Sequence, residues 1–390
     1  VFGCCLKPYQ QTDIIHFDPV LLQRAVSHTR NNLKSLIGTH LSPNLTFSQA
    51  CHSLERSTSC GPFVPGVKGD YWDEENEVYT GELATHLQKG WDAVHRGQIL
   101  KNAYKLALKD ELRPREKNEQ GKRRLLWGCD ASVTLIASAA FKPVSERLAE
   151  TVPICPIAVG TNMDSPHVEM MNRALVNRVI YTLDYSKWDS TMQPQIIQCA
   201  IQLLAEWCEP SPITSAAVAI LTSPALGYFE DVIFQTITGL PSGMPFTSVI
   251  NSLCHMILIS MATLLSYETL GVPYNGNFFE NEVIWTYGDD ALYGFTIATA
   301  SLMPNILSNL RAFGLTPTAA DKSAEITPTL TPVFLKREFI NTPNGVRAAL
   351  DRSSIERQFY WIKGQRTNDP NSPPRFDQLS GPNNLLLPLL

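Results

Sequence analysis

Residues 287–290 read Tyr-Gly-Asp-Asp between two short apolar runs, Val283-Ile284-Trp285-Thr286 before and Ala291-Leu292-Tyr293 after. That pattern predicts two strands joined by a two-residue hairpin turn, because such turns demand a positive φ that glycine adopts at no steric cost. It also sets two carboxylates side by side, where they repel unless a cation lies between them and a third partner. The third partner is Asp184, which closes the strand-like run Val179-Ile180-Tyr181-Thr182-Leu183. Carboxylates from separate backbone elements, converging on two divalent ions with oxygen ligands, are what nucleotidyl transfer requires. A Gly-Asp-Asp turn alone is more commonly an ordinary solvent turn. A second carboxylate at a strand end reverses that balance.

The 390-residue chain is long enough for large cores and two or three subdomains. Its 44% hydrophobic and 18% charged residues describe a globular protein rather than a disordered one. Leu253–Leu265 is the longest apolar run and is interrupted by His255, so no transmembrane segment is predicted. The N-terminus lacks the long apolar core of a signal peptide, and the missing initiator Met points to a proteolytic product or fragment. Nine scattered cysteines without a Cys-x-x-Cys pair favour reduced thiols and an intracellular compartment over a disulfide framework or zinc site.

Helical spacing is read over 13–38, 82–107, 248–265 and 301–313, and strands over 332–340 and 345–350. Pro194 suits the first turn of a helix carrying Ile196, Ile197, Ala200, Ile201 and Leu204, with Asp189, Ser190 and Thr191 as candidate caps. Strand, helix, helix, hairpin, helix, strand is an α+β order in which the hairpin can pair with 179–184.

Further segments bear on chemistry. Asp189 lies five residues beyond Asp184; a break in the strand brings it to the same cavity, where its carboxylate can accept a hydrogen bond from a ribose hydroxyl. Gly239–Phe246 is a Gly/Pro loop leading into a helix, with Thr247 and Asn251 four apart on one helical face. Ser242, Thr247 and Asn251 form a polar set suited to reading a 2′-hydroxyl. From Lys101 to Arg124 there are nine basic residues against four acidic ones, in a chain of net charge −5. One dense basic segment in an acidic protein fits an internal channel better than an open basic face. Lys109, Arg113, Lys122 and Arg124 are candidate triphosphate holders, and Lys322 a candidate general acid toward pyrophosphate.

In this order the segments resemble the motifs of RNA-dependent RNA polymerases of positive-strand RNA viruses. Lys109–Arg124 resembles the finger motif and Asp184–Asp189 the first palm motif. The Ser242-Gly243 loop with Thr247 and Asn251 resembles the second, Tyr287–Asp290 the third and Gly314–Ser323 the fourth. Phe334–Arg337 resembles the primer grip, and Thr58-Ser59-Cys60-Gly61 the template-entry loop. The wording Asp-Tyr-Ser-Lys-Trp-Asp-Ser-Thr is similar to that of caliciviruses, nearest the sapovirus and lagovirus branch, with picornaviruses more distant.

The resemblance implies a right hand: N-terminal bridge and fingers over 1–175, palm over 176–205 and 239–340, fingers again over 206–238, and thumb with tail over 341–390. It implies RNA-directed RNA synthesis with two Mg2+ or Mn2+ ions on Asp184, Asp289 and Asp290. It further implies RNA contacts at Thr58, Ser59, Gly243, Lys336 and Arg337. The implied partners are template and primer RNA, ribonucleoside triphosphates, a genome-linked protein primer, other viral replication proteins and a weak homo-oligomer, in host cytoplasm at virus-remodelled membranes. Two other readings stay open on the residues alone: a reverse transcriptase, which also uses a Tyr-x-Asp-Asp turn, and a catalytically silent RNA-binding protein relying on the basic segment.

Overall fold

The computed structural model describes residues 5–10, 13–109, 116, 119–120, 123–320, 323, 325–352 and 354–356. Helix α1 (Pro19–Ile37) has Asp18 as its N-cap, whose side chain accepts from the Leu21 amide, Pro19 in its first turn, and Gly38 closing it at φ 70°. Its buried stripe is Leu21, Leu22, Ala25, Val26, Leu33 and Ile37, on the spacing read from sequence, though the helix starts at Pro19 rather than at residue 13 and Leu36 is only half-buried.

Helix α2 (Gly81–His95) stops short of the 82–107 span that the spacing predicts. Gly97 turns the chain at φ 78°, and 103–108 forms strand β1 (Ala103–Leu108) instead. The physical reason is tertiary: β1 is paired on both edges, so its ladder outweighs local helix preference. One partner is β2 (Leu125–Cys129), antiparallel, with Leu108 opposite Leu125. Helix α3 (Ala131–Ala149) follows, capped by Asp130 and buried along most of its length.

Strand β3 (Val179–Tyr185) is broken at Lys187, which adopts a left-handed φ of 58° and starts the single-turn helix α4 (Trp188–Thr191). Helix α5 (Pro194–Ala205) has Pro194 in its first turn, but its N-cap is Gln193, not Asp189, Ser190 or Thr191. The Gln193 side chain is drawn away to the Ile15 amide at 2.9 Å. Helix α6 (Pro212–Leu221) leads to the hairpin β4 (Leu226–Phe229) and β5 (Val232–Gln235); β4 runs parallel to β1 and completes the sheet β2-β1-β4-β5.

Helix α7 (Thr247–Thr269) is the central pillar, with Val249 to Leu264 almost continuously buried against α1, α5 and the sheet behind it. Counting unbroken apolar runs underrates it. By length and composition its 23 residues suffice to cross a membrane, yet 89% of the relevant window is buried inside this fold. Its Ser and Thr hydroxyls bond back to carbonyls one turn earlier, so they enter the core without loss.

The hairpin β6 (Val283–Tyr287) and β7 (Asp290–Phe295) joins β3 in a second antiparallel sheet. Helix α8 (Met303–Ala312) precedes β8 (Pro317–Ala319), which closes the sheet in the order β8-β3-β7-β6. The predicted strand pair at the end is a three-stranded sheet, β9 (Val333–Phe334), β10 (Arg337–Thr342) and β11 (Gly345–Leu350). The hairpin does pair with the Asp184 strand.

Candidate active site

Strand register brings the carboxylates together. Leu183 lies opposite Ala291, so continuing the ladder by one residue sets Asp184 opposite Asp290, on the same face of the sheet. Gly288 carries φ 66° at the first central position of the turn, and Asp289 stands at its tip. Burial, and then the Asp184 charge, push the Asp289 carboxyl above its usual range. Asp290 is pushed up to about 6 by burial, Asp289 and Asp184, against the opposing Lys336 ammonium. Asp184 dominates the charge felt by Asp289, whereas Asp290 responds more to its immediate neighbour.

Clustered carboxylates that resist ionisation fit a hard divalent cation, which would restore their charged forms. Among the described residues they do not converge as a ready-made three-ligand cage. The Asp184 carboxylate instead accepts the Tyr185 amide at 2.8 Å.

The turn is held from behind by α7. Ser252 Oγ accepts the Gly288 amide at 3.2 Å, and its one proton faces two carbonyls, Ser248 at 2.7 Å and Thr286 at 3.2 Å. His255, one turn after Asn251, is 1% exposed; burial lowers its pKa to about 4, so the imidazole is neutral. A neutral ring has one donor and one acceptor nitrogen, and a carbonyl only accepts. Nδ1–H therefore donates to the Gly288 carbonyl at 2.8 Å, and Nε2 accepts the Tyr293 hydroxyl. The Tyr293 oxygen, 3.0 Å from that of Tyr185, then accepts the Tyr185 hydroxyl. One buried chain thus joins the Gly288 turn, α7, β7 and β3. Ser252, His255, Tyr185 and Tyr293 were not singled out from the sequence; the available signal was polar Ser252 and His255 beside Asn251 in an otherwise apolar helix.

Asp189 lies close enough to the turn to feel the Asp289 charge. Burial and the Asp289 charge push its carboxyl up to about 6, while Arg124 pulls it down. Asn251 is 3% exposed, and its Oδ1 accepts the Trp188 indole N–H at 2.9 Å. Thr247, the first residue of α7, donates back to the Met244 carbonyl, so its hydroxyl closes the loop below the helix. Ser242 is exposed on that loop. The loop's glycines have steric reasons: a Cβ on Gly243 would lie 1.6 Å from the Trp127 carbonyl oxygen, and one on Gly239 2.6 Å from the Asp189 carbonyl oxygen. Gly243 is therefore where this loop meets β2 closely.

The Lys109 amide donates to the Arg124 carbonyl at 2.9 Å, extending the β1–β2 ribbon toward the carboxylates, and the Arg124 charge reaches both Asp189 and Asp289. Arg113, Lys122 and Lys322 lie outside the described residues. Thr58 and Ser59 are anchored by the buried Lys68, whose Nζ donates to Thr58 Oγ1 at 2.7 Å and to the Ser59 carbonyl at 2.6 Å. Lys336 sits in a two-residue turn with Leu335, both at positive φ (60° and 52°), and its charge reaches Asp290. Arg337 points elsewhere, paired with Asp164 at 2.7 Å.

A family model described as viral RNA-dependent RNA polymerase matches residues 4–380. The chain belongs to the viral RNA-dependent RNA polymerase family. It is 41% identical over 375 residues to the genome polyprotein of feline calicivirus, Urbana strain. It is 40% identical over 382 residues to the genome polyprotein of canine calicivirus strain 48. Each match covers 95% of this chain, but the chain spans only about a fifth of these relatives (21% and 19%). Among solved structures, a sicinivirus 3Dpol RNA-dependent RNA polymerase superposes with a TM-score of 0.77 at 20% identity, covering 93% of this chain and 77% of that one. That likeness shows the right-hand α+β fold of a viral polymerase.

Proposed function

We propose that this polymerase-family chain carries out RNA-directed RNA synthesis at the cleft bounded by Asp184, Asp289, Asp290, Asp189 and Arg124. The observation that supports this reading is the ladder register, in which Leu183 pairs with Ala291 and Tyr287 with Asp290, so the strand end at Asp184 lies beside the Asp289-Asp290 turn; the charges of Asp289 and Arg124 reach Asp189 as well. Asp184 and Asp289 would hold two magnesium or manganese ions, with Asp290 the secondary partner. Bound there, the ions supply charge neutralisation and an acidified attacking hydroxyl.

The chain's own groups do the rest. Arg124, with Lys109, Arg113 and Lys122, grips the triphosphate and sets the α-phosphorus in line with a primer 3′-hydroxyl. Asp189, Asn251, Thr247 and Ser242 select the ribose. Lys322 gives a proton to the departing pyrophosphate. Thr58, Ser59, Gly243, Lys336 and Arg337 line the path of template and primer, Arg337 after exchanging its Asp164 partner for phosphate. The fingers, palm and thumb follow the divisions read from sequence. A genome-linked protein primer, other viral replication proteins, weak self-association and work at remodelled host membranes complete the reading.

Primer extension on an RNA template tests it. Asp289→Ala should lower synthesis by about a thousandfold or more and leave RNA binding nearly intact. Asp290→Asn should cost less. Full activity in Asp289→Ala would refute the metal assignment, and a preference for deoxyribonucleotides would favour the reverse-transcriptase reading.

A further inference from the structure

An indole nitrogen only donates, so the Trp188–Asn251 bond settles how the Asn251 amide is turned. Oδ1 faces Trp188, and the NH2 group faces away. That NH2 donates to no described residue and is not sealed from solvent. Asn251 lies beside the Gly288 turn, its Cβ 4.0 Å from where a Cβ on Gly288 would stand. Its amide can therefore offer only donors to an occupant of the cavity.

Trp188 has little freedom to release it. The ring is 2% exposed, with Tyr185 at 4.9 Å on one side and the His255 ring at 4.7 Å on another. His255 is itself fixed by the Gly288 carbonyl and Tyr293. The left-handed Lys187 begins the turn that buries Trp188 and leaves Asp189 within reach of the Asp289 and Arg124 charges.

We propose that Trp188 is a positioning residue for sugar selection: by occupying Asn251 Oδ1 it commits the Asn251 amide to donate, so the pocket favours a nucleotide whose sugar presents a hydroxyl oxygen there. This rests on the polymerase reading above. A hydroxyl both donates and accepts, and it meets two complementary groups: the Asp189 carboxylate accepts its proton while the Asn251 NH2 donates to its oxygen. A 2′-hydrogen satisfies neither. Without the indole N–H, the amide turns either way, and one of its two orientations sets oxygen against oxygen.

Trp188→Phe keeps an aromatic ring and deletes the N–H. The expected result is a roughly tenfold fall in kcat/KM for ribonucleoside triphosphates with that for 2′-deoxynucleotides unmoved, so the discrimination ratio falls tenfold. A packing role alone would lower both substrates together; an unmoved ratio overturns the proposal. Should the variant fail to fold, the side-chain amide resonances of wild-type Asn251 serve instead. They should shift on adding a ribonucleoside triphosphate and not on adding its 2′-deoxy form, and an equal response to both overturns the proposal. A wild type that incorporates neither nucleotide defeats the polymerase reading itself. A wild type that prefers ribonucleotides, with the ratio unmoved in Trp188→Phe, defeats only the role of Trp188.

Discussion

At the scale of single residues, burial decides how the site's ionisable groups behave. His255 has a folded pKa near 4 against an ordinary 6.5, so the unfolded chain takes up a proton first as pH falls. The stability contributed by the neutral imidazole is full above 6.5 and is lost as pH falls through about 4, an effect of about 3 kcal/mol at most. Asp189 and Asp290, raised to about 6, act in the opposite sense: they favour the folded state below their ordinary range and lose that advantage as pH rises through 6. The difference between wild type and variant therefore isolates the histidine. His255→Gln should flatten the acid limb of the Tm–pH curve between about 6.5 and 4, read by scanning calorimetry. Curves that stay parallel would contradict the buried neutral ring.

Elements add constraints that no side chain carries alone. The loop before α7 can pass β2 only because Gly243 lacks a Cβ. Gly243→Ala should destabilise by about 3 kcal/mol, while Ser242→Ala on the exposed side should stay within about 0.5 kcal/mol; chemical denaturation compares them. At the Leu335–Lys336 turn two side-chain-bearing residues hold positive φ, a conformation in which each costs about 1 kcal/mol. Replacing them together by Asn-Gly should raise stability by about that amount or more. RNA synthesis should fall, because the Lys336 charge beside Asp290 goes with it. A double variant that is both more stable and fully active would show that the turn is not kept for function.

For the molecule as a whole, the proposed cation site would link metal binding to folding. Burial and neighbouring carboxylates hold Asp289 and Asp290 toward their protonated forms, and a cation bound there would relieve that crowding. Mn2+ or Mg2+ should raise Tm by a few degrees, about 2.7 kcal/mol at a hundred times Kd. The increment should grow as pH rises through about 6, where Asp290 releases its proton and ligand replaces proton. Asp289→Asn should remove most of the increment. A Tm indifferent to metal at neutral pH would count against the carboxylates as a cation site.

Local pattern was enough for the existence of α1, of the hairpin around Gly288 and of the helix after Pro194, because each rests on short-range rules: apolar spacing, positive φ at glycine, and Pro in a first turn. The strand end at Asp184 and the turn before Asp290 were legible for the same reason, since strand ends and turns show in the chain itself. Pairing on both edges turned 103–108 from a helical reading into the strand that runs toward Lys109, and no local signal carries that. Burial made His255 neutral and joined it to Gly288 and Tyr293; exposure is a property of the folded whole. The Arg337–Asp164 pair and the Trp188–Asn251 bond likewise join residues 173 and 63 positions apart. Sequence alone determined which chemical groups this protein has and where the chain turns. Tertiary structure decided which of those groups meet, because contact energies depend on distance in space rather than along the chain.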